Sequence, residues 1–282
     1  MNAEPVSSPG NILGEGPFSF SNKRLFWFDI FGSSVYSHDI AENRTRETGL
    51  DEFICCAGPT VLNEIIAAGS NGVAVYNEQF KPEKILFEPP FNTDELRFND
   101  GKTGPDGAFW VGVMSHGGDQ KTGMLLRITD RIECVIDHML IPNGLGWSPD
   151  EKTMYVTDTG KGIIMQWSFN KDCGRITSER LFVDSALMDG VPDGLSVDSV
   201  GNVWSVFWGS SRVNGFRPSG EKFAEIRVDA ENPTSCCFAG IDYSTLYITS
   251  ATHSVDEPRV HDGALFKAAT GTVGKPPYKF KF

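Results

Sequence analysis

Five acidic and amide side chains occupy equivalent positions in a motif that recurs along the chain, each within two residues of a glycine. They are Glu15, Asn99, Asp100, Asn143 and Asp193. Glu15, Asn143 and Asp193 together offer two carboxylates and one amide oxygen. Such hard oxygen donors are the ligands that Ca²⁺, Mg²⁺ and Mn²⁺ prefer. The matched positions therefore predict a divalent-metal site, provided that the fold brings these distant residues together.

The same dipeptides also have a purely structural interpretation. Asn143-Gly144 and Asp193-Gly194 are combinations that commonly form turns. Taken singly, each residue is better explained as a turn former than as a ligand. Their shared position in the repeat is what favours a common site.

A basic residue lies close to one of these positions. Arg97 precedes Asn99 by two residues, so both side chains point to the same side of an extended segment. A guanidinium there can hold a sugar or carboxylate oxygen through paired hydrogen bonds. The alternative is a surface ion pair with Asp94 or Glu95. We predict that Arg97, Asn99 and Asp100 contact the substrate.

The spacing of the motif indicates how these residues are positioned. Its anchors are Gly16, Gly58, Gly101, Gly144, Gly194 and Cys236, which lie 42, 43, 43, 50 and 42 residues apart. A period of about 40 to 50 residues with several short strands is typical of a β-propeller blade. The sequence therefore predicts an all-β, six-bladed β-propeller, with residues 1–282 forming a single domain. A β-sandwich is the alternative, but it does not explain the even spacing.

A propeller places the candidate residues at one end of a central channel. The strand nearest the axis begins each blade, so side chains at its start line one mouth of the channel. Ser115 and His116 follow the next strand of the third repeat, and we include both among the candidate substrate contacts. An exposed loop position is the alternative for His116. Ring closure predicts that the N-terminal segment pairs with a strand near residues 263–266, which covers a sheet edge.

Charge and composition exclude several classes of protein. The 25 basic and 37 acidic residues give a net charge of −12, which argues against nucleic-acid binding. The apolar runs are far shorter than the roughly 20 residues of a membrane helix. The first ten residues lack the pattern of a secretion signal. The six cysteines form no CxxC pair, so we expect free thiols and a cytoplasmic protein, with a secreted form as the alternative. No oligomeric state is predicted.

Six segments in order resemble the regucalcin (senescence marker protein)/gluconolactonase/luciferin-regenerating-enzyme-like family, over residues from about 12 to 268. The segments that carry the resemblance are GEGP at 14–17, RFNDGK at 97–102, PNGLGWSPD at 142–150, YVTDT at 155–159, PDGL at 192–195 and PTSCCF at 233–238. The resemblance implies a propeller with one divalent metal ion, Ca²⁺, Mg²⁺, Mn²⁺ or Zn²⁺, in its channel. It also implies hydrolysis of small lactones, typically aldonolactones.

The resemblance implies roles for individual residues. The metal ligands fall on Glu15, Asn143 and Asp193, and substrate contacts fall on Arg97 and Asn99. The metal would polarise the lactone carbonyl, while either Asp193 or a hydroxide on the metal activates water. Relatives carry a glutamate after the third-blade strand where this chain has residues 114–117, so the preferred lactone stays open.

Two other functions are compatible with the same residues. One is a hydrolase that acts at this site on another ester or on a phosphotriester. The other is a propeller that binds a metal and serves as a scaffold without catalysis.

Overall fold

The computed structural model describes all 282 residues, as 24 β-strands and one three-residue 3-10 helix, Thr159–Lys161. The first strands are β1 Glu4–Ser7, β2 Gly14–Ser21, β3 Arg24–Asp29, β4 Ser34–Asp39, β5 Arg44–Gly49, β6 Ile54–Pro59, β7 Ile65–Gly69, β8 Gly72–Tyr76 and β9 Pro82–Phe87. Then follow β10 Leu96–Thr103, β11 Phe109–Ser115, β12 Gly123–Ile128, β13 Ile132–Met139, β14 Pro142–Trp147, β15 Thr153–Asp158, β16 Ile163–Asn170 and β17 Arg175–Asp184. The last are β18 Val191–Val197, β19 Val203–Trp208, β20 Arg212–Phe216, β21 Lys222–Arg227, β22 Asn232–Ala239, β23 Thr245–Ala251 and β24 Leu265–Ala269.

The strands form six four-stranded antiparallel sheets, which confirms the predicted six-bladed β-propeller. Blades 1 to 5 are β2–β5, β6–β9, β10–β13, β14–β17 and β18–β21, each in chain order. Blade 6 combines β22, β23 and β24 with the N-terminal strand β1. The first strand of every blade contacts the first strand of both neighbouring blades, so β2, β6, β10, β14, β18 and β22 close a ring around the axis. All six anchors of the repeat lie in these inner strands.

The N-terminal segment closes the ring, as the sequence predicts. β1 pairs antiparallel with β24, with Glu4 opposite Lys267 and Pro5 opposite Phe266. The last sheet is therefore built from both ends of the chain, and the outer edge of β24 is covered. A closed ring removes unpaired sheet edges between the first and last repeats.

The hydrophobic core lies between adjacent blades rather than at one centre. Six clusters of buried side chains fill the six interfaces, one for each pair of neighbouring blades. In the cluster between blades 6 and 1, for example, Trp27 of β3 packs with Tyr247 of β23. Because a sheet that is buried on both faces has mostly apolar side chains, second strands such as β3, β7, β11 and β19 read as largely apolar runs.

The last eleven residues, 272–282, cross the end of the ring opposite the starts of the inner strands. The Ser199 N–H donates to the Val273 carbonyl at 2.8 Å, and the Phe280 N–H donates to the Pro59 carbonyl at 2.9 Å. The Lys281 N–H donates to the Gly107 carbonyl at 2.9 Å. This C-terminal segment therefore bridges loops of blades 5, 2 and 3 and covers one end of the channel.

All six cysteines are free thiols, as the sequence predicts, and four of them are buried. The structure contains no helix with the length and hydropathy of a membrane span.

We predict that the C-terminal segment is anchored mainly by Phe280, which is 1% exposed in the cluster between blades 2 and 3. Replacing Phe280 by Ala leaves a cavity in that cluster, so we expect the free energy of unfolding to fall by about 3 kcal/mol. Phe282 is 56% exposed, and Phe282→Ala is the matched control, with an expected loss below about 1 kcal/mol. Chemical denaturation of both variants measures the difference. Equal losses would contradict the docking of this segment.

Candidate functional site

Every candidate metal ligand lies in a β-bulge, or directly beside one, near the start of an inner strand. The pairing of each inner strand with its neighbour is interrupted between Glu15 and Phe18 in β2, Pro142 and Leu145 in β14, and Pro192 and Leu195 in β18. A bulge leaves residues unpaired and bends the strand, so it redirects side chains out of the regular alternation. Three blades thereby direct Glu15, Asn143 and Asp193 into the same end of the channel.

Three buried carboxylates perturb one another in this end of the channel. Burial raises the pKa of Glu15 well above its usual range, and the charges of Asp193 and Asp100 raise it further. Burial also raises the pKa of Asp193, with Asp100 adding to the effect and the nearby Asn143 amide opposing it. The Arg97 guanidinium lowers both pKa values only slightly. The channel therefore has an excess of negative charge that a bound cation would compensate.

Two ligand oxygens in this cluster accept no hydrogen bond. Asn143 Oδ1 and Asp193 Oδ1 are both buried and unpartnered. The Thr159 hydroxyl donates to the Pro192 carbonyl at 2.8 Å, so it can only accept from Asn143 Nδ2, which lies 3.2 Å away. That hydrogen bond turns Asn143 Oδ1 away from Thr159. Buried oxygens without donors are what a cation site requires.

The donor set fits a divalent cation bound by oxygen. It contains two carboxylates and one amide oxygen, and no group of three or more His, Cys, Asp or Glu side chains in the structure could hold a metal ion. The Asn143 amide oxygen is therefore the third donor of the candidate set. Hard cations such as Ca²⁺ accept carboxylate and amide oxygens, whereas structural zinc sites use cysteine and histidine.

Two aspartates hold the loops that lead into the ligand-bearing strands. Asp29 accepts the Ile12 and Leu13 N–H groups at 2.8 and 3.0 Å, immediately before β2. Asp158 accepts the N–H groups of residues 140 and 141, immediately before β14. The hydrogen bond from the residue 141 N–H is the shorter of the two, at 3.1 Å. In blades 1 and 4, the end of the second strand thus fixes the entry to the first.

Arg97 and Asn99 lie together beside the cluster. Arg97 Nη1 donates to Asn99 Oδ1 and to the Phe98 carbonyl, each at 2.9 Å. Asn99 Nδ2 donates to the Pro142 carbonyl at 3.0 Å. The guanidinium forms no ion pair with the neighbouring acidic residues 94 and 95, and it is only half-buried. It retains free N–H donors for a ligand, whereas both polar atoms of the Asn99 amide already have a protein partner.

Asp100 lies deeper in the channel than the predicted ligands. Its Oδ1 accepts the Gly101 N–H at 2.7 Å, and the residue lines a cavity of about 100 Å³ that extends toward the C-terminal segment. Burial raises the pKa of Asp100, and the neighbouring Lys102 lowers it. Lys102 Nζ donates to the Leu195 carbonyl at 2.9 Å. Asp100 therefore contributes charge to the site from below.

Ser115 and His116 occupy different environments. Ser115 ends β11 opposite Leu96, and its buried hydroxyl has no hydrogen-bond partner. His116 is exposed, with Nε2 lying 3.0 Å from the Thr93 carbonyl. Because a carbonyl only accepts, that nitrogen carries a proton. Ser115 therefore lies beside the start of β10, whereas the His116 ring is hydrogen-bonded to a surface loop.

Thr159, Thr234 and Cys55 were not among the predicted site residues, yet each donates a hydrogen bond to a neighbouring inner strand. The signal for Thr159 was its position directly after β15, in the segment Thr157-Asp158-Thr159. Thr234 and Cys55 lie in the bulges of β22 and β6, at positions equivalent to those of the candidate ligands in their own strands.

Comparison with known proteins places the chain in a family. Residues 13–252 match the family described as SMP-30/Gluconolactonase/LRE-like region. The chain belongs to this family. It is similar to a putative sugar lactone lactonase of Bacillus subtilis (strain 168), with 32% identity over 288 residues, 99% of each chain. It is also similar to the 6-deoxy-6-sulfogluconolactonase of Pseudomonas putida, with 30% identity over 258 residues, 90% of this chain and 89% of the other.

A solved structure agrees with the fold. The calcium-binding protein regucalcin from Agrobacterium tumefaciens superposes on this SMP-30/gluconolactonase family member with a TM-score of 0.93. The superposition covers 100% of this chain and 98% of the other, at 23% sequence identity. This likeness supports the six-bladed architecture.

We predict that replacing Asp193 by Asn stabilises this family member when divalent cations are removed. Burial and the charge of Asp100 raise the pKa of this carboxyl in the folded protein, so it costs stability once the pH exceeds the usual carboxyl pKa of the unfolded chain. In chelator at neutral pH, we expect the melting temperature of Asp193→Asn to exceed that of the wild type by at least about 2 °C. The gain should disappear as the pH falls below the usual carboxyl pKa of the unfolded chain, where Asp193 is protonated in both states.

The control is Asp172→Asn, which changes an exposed carboxylate at the opposite end of the ring. We expect no change of melting temperature for this variant. Added Ca²⁺ should stabilise the wild type and Asp172→Asn, but not Asp193→Asn. If Asp193→Asn melted at a lower temperature than the wild type in chelator, the protein itself would compensate the charge of the Asp193 carboxylate.

Proposed function

We propose that the protein is a metal-dependent lactonase that opens small sugar lactones, and that residues 1–282 form a single propeller domain. The observation that carries the proposal is the meeting of Glu15, Asn143 and Asp193 in one end of the channel, with two ligand oxygens unpartnered. The curated relatives named as a sugar lactone lactonase and a sulfogluconolactonase support the reaction class. The regucalcin neighbour, described as a calcium-binding protein, supports a divalent cation.

Glu15, Asn143 and Asp193 would hold the cation, which when bound would polarise the lactone carbonyl and stabilise the negative charge that develops on its oxygen. The oxygen-only donor set favours Ca²⁺, Mg²⁺ or Mn²⁺ over Zn²⁺. Glu15 and Asn143 thus serve to bind, and Asp193 serves both to bind and to react.

Asp193 is the candidate general base. It would take a proton from the water as that water attacks the carbonyl carbon. When the ring C–O bond breaks, Asp193 would return this proton to the departing ring oxygen, which gives a hydroxy acid and restores the carboxylate. A positioned base contributes about 10²- to 10⁴-fold to such a step. Burial and the charge of Asp100 raise the pKa of this group, so its ionised carboxylate is a stronger base than that of a solvent-exposed aspartate.

The substrate contacts are assigned to side chains beside the cluster. Arg97 retains free guanidinium donors for ring oxygens, and the unpartnered Ser115 hydroxyl can bind another oxygen of the sugar. Asn99 orients Arg97 through the hydrogen bond to its own Oδ1. We assign His116 a place at the edge of the site, because its ring is bonded to a loop carbonyl.

We predict that chelator-stripped protein has no lactonase activity and that one added divalent cation restores it. The assay follows acid release from a panel of five- and six-membered sugar lactones, with Ca²⁺, Mg²⁺, Mn²⁺ and Zn²⁺ added one at a time. Cation binding is measured in parallel by calorimetry. Tight cation binding without hydrolysis of any lactone would favour either a different ester or phosphotriester substrate or a non-catalytic scaffold.

The residue assignments predict distinct kinetic effects. Asp193→Ala should lower kcat by at least about 100-fold, because it removes a ligand and the base. Arg97→Ala should lower kcat/KM by about 10-fold or more, mainly through KM, because it removes charged hydrogen bonds to the substrate. Asp172→Asn is the surface control and should leave both constants unchanged. An Asp193→Ala variant that binds metal and retains most of its activity would refute the assignment.

A further inference from the structure

Four side chains donate hydrogen bonds from one blade to the inner strand of the next, in a repeated arrangement. In each case, the acceptor is the carbonyl of the residue immediately before a candidate site residue. The bonds run from Cys55 to Phe98, from Asn99 to Pro142, from Thr159 to Pro192 and from Thr234 to Gly14. The residues that follow those carbonyls are Asn99, Asn143, Asp193 and Glu15.

Only the inner strands that carry candidate site residues accept such a hydrogen bond. The equivalent carbonyls in β6 and β22, those of Ile54 and Pro233, accept no side-chain hydrogen bond. Neither of these strands carries a carboxylate or an amide side chain in its bulge, between Ile54 and Cys56 or between Pro233 and Cys236. Because a bulge interrupts the pairing within its own sheet, an outside donor is needed to fix its backbone.

Thr159 acts on two of the proposed ligands at once. Its hydroxyl donates to the Pro192 carbonyl at 2.8 Å and accepts from Asn143 Nδ2 at 3.2 Å. The first bond fixes the backbone that carries Asp193, and the second sets which amide atom of Asn143 faces the channel. Thr159 itself begins the 3-10 helix after β15, where its N–H donates to the Ile141 carbonyl at 3.0 Å. The hydroxyl is thereby held between two blades.

We propose that Thr159 is a positioning residue for the divalent-metal site, an inference that rests on the proposed function. It orients Asn143 Oδ1 and the Asp193 bulge without contacting the cation. Thr234 has the same role for Glu15, since its hydroxyl donates to the Gly14 carbonyl and also contacts Thr249 Oγ1 at 2.8 Å. Groups that orient metal ligands typically affect metal affinity by about 10- to 100-fold.

The test compares three variants of neighbouring threonines by calorimetric titration with Ca²⁺ and Mn²⁺. Thr159→Val removes the hydroxyl at constant shape, and we expect cation affinity to fall by about 10-fold or more. Thr159→Ser keeps the hydroxyl, and its affinity should stay within about threefold of the wild type. Thr157→Val is the matched control, because the Thr157 hydroxyl is fully buried but has no hydrogen-bond partner. Its affinity should equal that of the wild type.

The outcomes separate this inference from the proposed function. Wild-type affinity in Thr159→Val overturns the positioning role while leaving the metal site intact. A wild type that binds no divalent cation overturns both. Equal weakening in Thr159→Val and Thr157→Val also overturns the role, because it would reflect a general disturbance of β15. If Thr159→Val does not fold, the pair Thr234→Val and Thr234→Ser gives the same comparison at Glu15, with the same expected values.

Discussion

The channel holds three carboxylates away from water with too few donors to neutralise them. Glu15 and Asp193 are at most 8% exposed, and Asp100 is similarly buried. Their compensating partners within the protein are single N–H groups, the Asn143 amide, the half-buried guanidinium of Arg97 and, for Asp100, Lys102. An isolated buried charge is costly, and such charges are normally paired or bound to a metal. This constraint requires rigid surroundings, because a flexible channel would relax until water reached the carboxylates.

The rigidity comes from the way in which the ring is closed. Each candidate ligand belongs to a different blade, so their mutual positions depend on every interface between them. A core cluster fills each interface, and β1 joins the last blade to the start of the chain. The C-terminal segment ties loops of several blades together at the opposite end. At four of the six interfaces, a side-chain hydrogen bond to the next inner strand then helps to fix the position of a bulge.

Much of this arrangement was predictable from the sequence, because the repeat period is itself a consequence of the blade. The spacing of Gly101 and Gly144 predicted the length of a blade. The equivalent positions of Glu15, Asn143 and Asp193 in the repeat predicted that their side chains lie at one end of the channel. The surroundings of individual groups were not predictable. The depth of Asp100 and the contact of His116 with a loop carbonyl depend on bulges and turns that have no distinct sequence pattern. The bond from Thr159 to Pro192 joins two blades, so it exists only once the ring has formed.

The glycines of the motif illustrate why a local interpretation was insufficient. Asn143-Gly144 and Asp193-Gly194 have the composition of turns, but both lie within strands, β14 and β18. A Cβ on Gly144 would lie 2.5 Å from the Asp193 carbonyl oxygen, and one on Gly194 would lie 2.2 Å from Ser235 Oγ. Each glycine therefore lets the inner strand of the next blade approach. Candidate ligand and glycine are adjacent in sequence, so the dipeptide that supplies a ligand oxygen also sets the width of the channel at that point. The need for an oxygen donor and the need for a close approach of strands together account for the position of the dipeptide in the repeat.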